Sequence, residues 1–115
     1  MAHEKTARRR GEAVRIWMLG GFRTSVGRHV VGMGDWRGRK AASLVKLLAL
    51  SEKHRLHREE AVALLWPDLD AKGAANNFHR TLHFARRVLG SGSLPLRDGL
   101  LSLCPESPLW VDARA

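Results

Sequence analysis

The sequence predicts an α+β domain made of a small amino-terminal antiparallel sheet, three helices and a closing β-hairpin. Three observations carry that expectation. Apolar residues alternate around Val14, Ile16 and Met18; Phe78, Leu82, Ala85 and Leu89 recur at spacings of four, three and four; and Asp98-Gly99 stands between two alternating leucine-containing segments. Alternation is the period of a half-buried strand, and the four-three spacing is that of one helix face. Asp-Gly is the dipeptide that suits a tight two-residue hairpin turn. A chain of 115 residues has room for one domain with a single core.

In chain order, Met1 to Ala13 is polar, basic and without periodicity, which predicts a disordered arm. The folded domain is expected over residues 14–104, followed at 105–115 by a carboxy-terminal strand or a linker to a further domain. Val14 to Val31 is interrupted at Gly20-Gly21 and near Gly27, so it reads as short antiparallel strands. Gly32 to Gly38 is a glycine-punctuated loop. A first helix is expected from about Arg39 to Ser51, burying Leu44, Val45, Leu47 and Leu48, with Leu50 a further candidate. A turn through Glu52 to His57 leads to a second helix, Arg58 to Trp66, whose Glu59 and Glu60 sit in the first turn, where the helix dipole favours acids. Pro67 ends it.

The third helix lies between Asp70, a suitable N-cap, and Gly90, a suitable residue to follow its end. Its stripe of Phe78, Leu82, Ala85 and Leu89 faces the core. After it, a two-residue turn at Asp98-Gly99 pairs Arg97 with Leu100 and Leu96 with Leu101. Leu94, Leu96, Leu101 and Leu103 then share the face that packs on the helices, and Arg97 stands at the hairpin tip. Sheet, helix, helix, long helix and hairpin is the element order of a winged helix-turn-helix.

Charge gives the first functional indication. Twenty Lys and Arg against 11 Asp and Glu leave a net charge of +9, which predicts an acidic partner, nucleic acid or a membrane surface. No acidic residue occurs between Asp70 and Asp98. Solvated helices ordinarily pair charges of both signs three or four residues apart, and a surface that approaches a polyanion does not. Opposite the apolar stripe the third helix collects Asn76, Asn77, Arg80, His83, Phe84 and Arg87, with Thr81 and His79 at the margins. These fit the major groove of double-stranded DNA. Arg80 and Arg87 present planar forks for guanine, Asn76 or Asn77 can pair bidentately with adenine, and Phe84 can touch a thymine methyl. Arg80, nearest to straight opposite the stripe and near mid-helix, ranks above Arg87 for reading a base. Arg37, Arg39, Lys40, His79, Thr81, Arg86 and Arg97 are expected on the phosphate backbone, where contacts fix register without reading sequence. Arg86 has an alternative, since it lies nearer the stripe and can pair with Asp68 or Asp70.

Other function classes find little here. A lone Cys104 offers neither a disulfide framework nor a cysteine zinc site, and it fits a reducing cytoplasm. No apolar segment approaches the length of a membrane span or a signal peptide. No phosphate-binding loop, nucleophile elbow or carboxylate dyad appears, so neither an enzyme nor a cofactor is expected. His79 and His83 are four apart, but no third metal ligand is placed by sequence. Trp17, Trp36, Trp66 and Trp110 read as core and edge packing groups, because a stacking platform needs several aromatics on one sheet face.

Three segments together carry a family resemblance: WRGRKAASLVKLLAL (Trp36 to Leu50), HRLHREEAVALLWPDLD (His54 to Asp70) and AANNFHRTLHFARRVL (Ala74 to Leu89), closing on LRDGLLSL. They resemble the DNA-binding domain of bacterial antibiotic-regulatory-protein (SARP) type transcriptional activators, which is similar to OmpR-like winged helices. The resemblance spans about Val14 to Val111. It implies a third helix in the major groove, a hairpin wing at the minor groove and protomers head to tail on direct repeats. It further implies a role in transcription activation; RNA polymerase is a separate expected partner. By position, His79, Arg80, His83 and Arg87 match the groove-facing residues, and Arg97 matches the wing. His57, where a Ser or Thr cap is common, and Phe84, where a polar contact is common, depart from the pattern. Two other readings stand beside this one: a winged helix that docks on protein, either polymerase or its own sensor domain, with only non-specific nucleic-acid affinity, and an RNA-binding domain.

Overall fold

The computed structural model describes residues 12–19, 21–32, 36 and 39–112. All of the expected arm except Glu12 and Ala13 lies outside these residues, as does Arg37. Within them the chain is a small α+β domain with three α-helices and two sheets.

The first sheet begins with β1 (Val14–Trp17), β2 (Arg23–Val26) and β3 (His29–Val31), paired antiparallel in turn. Gly27, at φ +59, makes the turn from β2 to β3, and a Cβ there would run into the Glu12 carboxylate. Glycine avoids both the backbone strain and the clash. The fourth strand comes from the other end of the chain. Leu109–Asp112 (β7) lies parallel to β1 over its whole length, giving the order β3-β2-β1-β7. The segment expected as strand or linker therefore contributes a strand, paired with the first strand of the domain.

Helix α1 (Arg39–Leu50) buries Ala41, Ala42, Leu44, Val45, Leu48 and Ala49. Leu47 is half-buried, while Leu50, a candidate for the buried face, is 62% exposed because it falls past the packed turn. The turn expected over Glu52 to His57 is only half a turn. A 3₁₀ segment (Glu52–His54), with Lys53 and His54 both at positive φ, feeds a short strand, β4 (Arg55–His57). Helix α2 (Arg58–Leu65) follows, and the Glu60 carboxylate accepts a hydrogen bond from the His57 N–H at 3.2 Å. That contact satisfies a backbone donor beside the helix start, so His57 is accommodated at a position where hydroxyl caps are common.

Helix α3 (Ala71–Leu89) is bounded where the caps indicated: the Asp70 carboxylate accepts from Gly73 N–H at 2.8 Å, and Gly90 at φ +112 leaves the helix. The hairpin of β5 (Leu96–Arg97) and β6 (Leu100–Ser102) has the expected register, Leu96 to Leu101 and Arg97 to Leu100. Positive φ at Asp98 and Gly99 marks a type I′ turn. β4 adds to the other side of β6, making the second sheet, β4-β6-β5.

Between the sheets and helices lies one core in which Ile16, Leu44, Leu48, Phe78, Leu94 and Leu101 are fully buried. Cys104 joins its edge, and burial pushes its thiol up to about 12, which disfavours the thiolate. Among the described residues no helix is long and apolar enough to cross a membrane.

Candidate nucleic-acid interface

The candidate surface starts from α3, because its core side is settled first. Phe78, Leu82, Ala85 and Leu89 are buried, and α1 is the helix packed most extensively against them. With that side fixed, the helical period turns Asn76, His79, Arg80, His83 and Arg87 outward, and all five are exposed. Asn77 is half-buried. Phe84 is half-buried against the core margin, with the His83 ring 5.9 Å away and tilted by 53°, so only part of its ring is open to a partner.

Three expected backbone-contacting residues have other surroundings. Thr81 is only 7% exposed. It lies three residues from Phe78 and four from Ala85, so the buried stripe, widened by Ala74, takes it in. Arg86 gives both Nε (3.0 Å) and Nη2 (2.8 Å) to the Leu94 carbonyl oxygen, tying α3 to the hairpin approach instead of pairing with Asp68 or Asp70. Lys40 gives its Nζ to the Leu65 carbonyl at 2.6 Å and lies 5.9 Å from the Trp66 ring centroid. A cation at the carboxy-terminal carbonyls of α2 is favoured by the helix dipole. Arg86 and Lys40 therefore each tie two elements of the fold together, an intramolecular role beside the phosphate contact expected of them. Arg39 and Arg97 are exposed.

The second sheet adds cations that the sequence reading passed over. The register places Arg55 opposite Ser102 and His57 opposite Leu100, and Leu100 in turn opposite Arg97. Arg55, His57 and Arg97 thus share the outer face of β4-β6-β5, and all three are exposed. The Arg58 N–H donates to the Gly99 carbonyl at 2.7 Å, fastening the start of α2 to the hairpin turn. What concealed these residues is the length of β4: three residues entered through two of positive φ resemble a turn until the partner strand is known.

The outward residues of α3 include no carboxylate, whereas the hairpin surface mixes signs, with Arg55, Arg58 and Arg97 exposed beside the exposed Asp98 of the turn and Glu106. His79 and His83 share the exposed side of α3, and among the described residues no group of three or more His, Cys, Asp or Glu is placed to hold a metal ion. Comparisons of the chain with protein-family models, with curated proteins and with solved structures give no match.

Proposed function

We propose that this domain is a winged helix-turn-helix that binds double-stranded DNA sequence-specifically as part of a bacterial transcriptional regulator, with α3 in the major groove and the β5–β6 hairpin at the minor groove. The observation that carries the reading is the outward side of α3, where Asn76, His79, Arg80, His83 and Arg87 stand exposed without a carboxylate on a helix whose opposite side is fixed in the core. A helix of this width fits the major groove, and its amide, guanidinium and imidazole groups match the donors and acceptors of base edges there. Arg39 and Arg97, with Arg55 and Arg58 now added, are the phosphate contacts of this reading, and they set register. The resemblance to antibiotic-regulatory-protein type activators supports the same assignment. It extends the proposal to head-to-tail protomers on direct repeats, and RNA polymerase is proposed as a further partner.

The test is selection from random duplexes, repeated at several salt concentrations. If α1, α3 and the β4-β6-β5 face together neutralise about six phosphates, log K falls against log salt with a slope of roughly −5, with an enriched sequence. A steep slope without enrichment would favour the protein-docking module with non-specific affinity. Preference for structured RNA over duplex would favour the RNA-binding reading, and a slope near zero would remove nucleic acid altogether.

A further inference from the structure

The four-stranded sheet has an outer face that the proposed DNA contacts do not use. Its register places Arg15 beside Trp110 and Ser25, and Trp17 beside Arg23 and Asp112, on the side away from buried Ile16 and Thr24. The tryptophans from opposite ends of the chain meet edge to face, with ring centroids 5.5 Å apart. The Arg23 guanidinium lies 5.1 Å from the centre of the Trp17 ring. Trp110 is 48% exposed, although a large aromatic is usually covered. A groove of about 380 Å³ runs here, lined by Arg15, Trp17, Pro108 and Trp110 among others. Among the described residues, the one carboxylate that the register brings to this face, Asp112, accepts from the Met18 N–H.

Beside this face is an open edge. β7 is the terminal strand of the sheet, and among the described residues nothing pairs with its other side. Because Pro108 gives its carbonyl to the Val14 N–H, alternation along the strand turns the N–H and C=O of Leu109 and Val111 away from β1. Protected edges carry inward charges, bulges or a covering loop. This one presents unpaired backbone groups next to an aromatic and cationic groove.

We propose that the β7 edge and the Trp17–Trp110 groove together receive an extended acidic polypeptide segment, added as a fifth strand. Its backbone pairs with Leu109 and Val111, and the acidic side chains on its outer face lay their methylene stems on the two indoles and bring their carboxylates to Arg15 and Arg23, while the alternate apolar side chains fall on the opposite face. The edge selects a polypeptide, since a nucleic-acid backbone has no in-register donors and acceptors for it. Charge selects an acidic segment and disfavours a second copy of the chain, because each copy carries +9. A guanidinium already resting on an aromatic ring keeps its in-plane N–H groups free for a carboxylate. This inference concerns a different surface from α3 and stands whether or not the domain binds DNA.

The experiment uses the 115-residue chain labelled with ¹⁵N and three probe peptides: acetyl-Glu-Val-Glu-Val-Glu-amide, the same peptide N-methylated at alternate residues, and its lysine counterpart. The acidic peptide is expected to shift the indole N–H signals of Trp17 and Trp110 while leaving Trp36 and Trp66 in place. N-methylation and lysine substitution should each abolish the shift. The pair Arg15→Glu and Arg23→Glu should weaken binding about tenfold or more, with Arg15→Gln and Arg23→Gln as milder variants should the reversals disturb folding. Absence of shifts at Trp17 and Trp110 would overturn the proposal. So would equal binding of the N-methylated peptide, shifts produced by a thymidine decanucleotide but not by the peptide, or a concentration-dependent dimer abolished by Trp110→Ser.

Discussion

The outward side of α3 and the outer face of the four-stranded sheet are both exposed and cationic, yet they are assembled in opposite ways. On α3 every contributing residue comes from one continuous helix, so a single periodicity decides which side chains face the core and which face outward. On the sheet, Trp17 and Trp110 stand side by side only because strands from the two ends of the chain pair in one register. A locally built face survives many changes elsewhere in the chain. A face built by register depends on distant segments staying paired.

The largest effect expected from that contrast is on the core that orients α3. Phe78→Ala should cost about 3–5 kcal/mol, seen as a large fall in Tm, because a fully buried ring leaves a cavity where α1 and α3 meet. A loss below 1 kcal/mol would mean that the stripe does not hold the helix. Next comes Arg86→Ala, which removes two charge-assisted hydrogen bonds to the Leu94 carbonyl and should cost about 1–3 kcal/mol of stability. Its ratio of specific to random DNA affinity should stay within about twofold. A change of preferred sequence without loss of Tm would return Arg86 to the DNA surface. The smallest effect is expected for Arg39→Ala, an exposed residue at the start of α1. Specific and random duplexes should weaken together, with the salt slope reduced by about 1 and Tm unchanged.

The same contrast governs what could be read from the sequence. The ends of α3 were legible because Asp70 and Gly90 cap it locally, and the hairpin register followed from the turn that Asp98-Gly99 demands. Thr81 was misplaced because the width of a buried stripe depends on how closely the neighbouring helix approaches, which spacing alone does not specify. β4 and β7 were only partly legible. Each is short, and each gains its hydrogen bonds from a strand far away in the chain, β6 for β4 and β1 for β7. The intramolecular partners of Lys40 and Arg86 are not legible for a related reason: the Leu65 and Leu94 carbonyls come close to them only in the folded molecule. The candidate site was thus most legible where it is helical and least where it is a sheet.

The most direct test of the α3 reading is Arg80→Ala, measured as affinity for the selected duplex, affinity for random duplex and Tm. Arg80 is exposed near the middle of α3, two residues from buried Phe78 and Leu82 and well away from their direction. The expected result is a loss of about 1–3 kcal/mol on the selected duplex, a much smaller loss on random duplex, relaxed preference at one base pair and an unchanged Tm. Equal losses on both duplexes would make Arg80 a phosphate contact. A large fall in Tm would mean that the helix presents a different side to its partner, and the central claim would be contradicted.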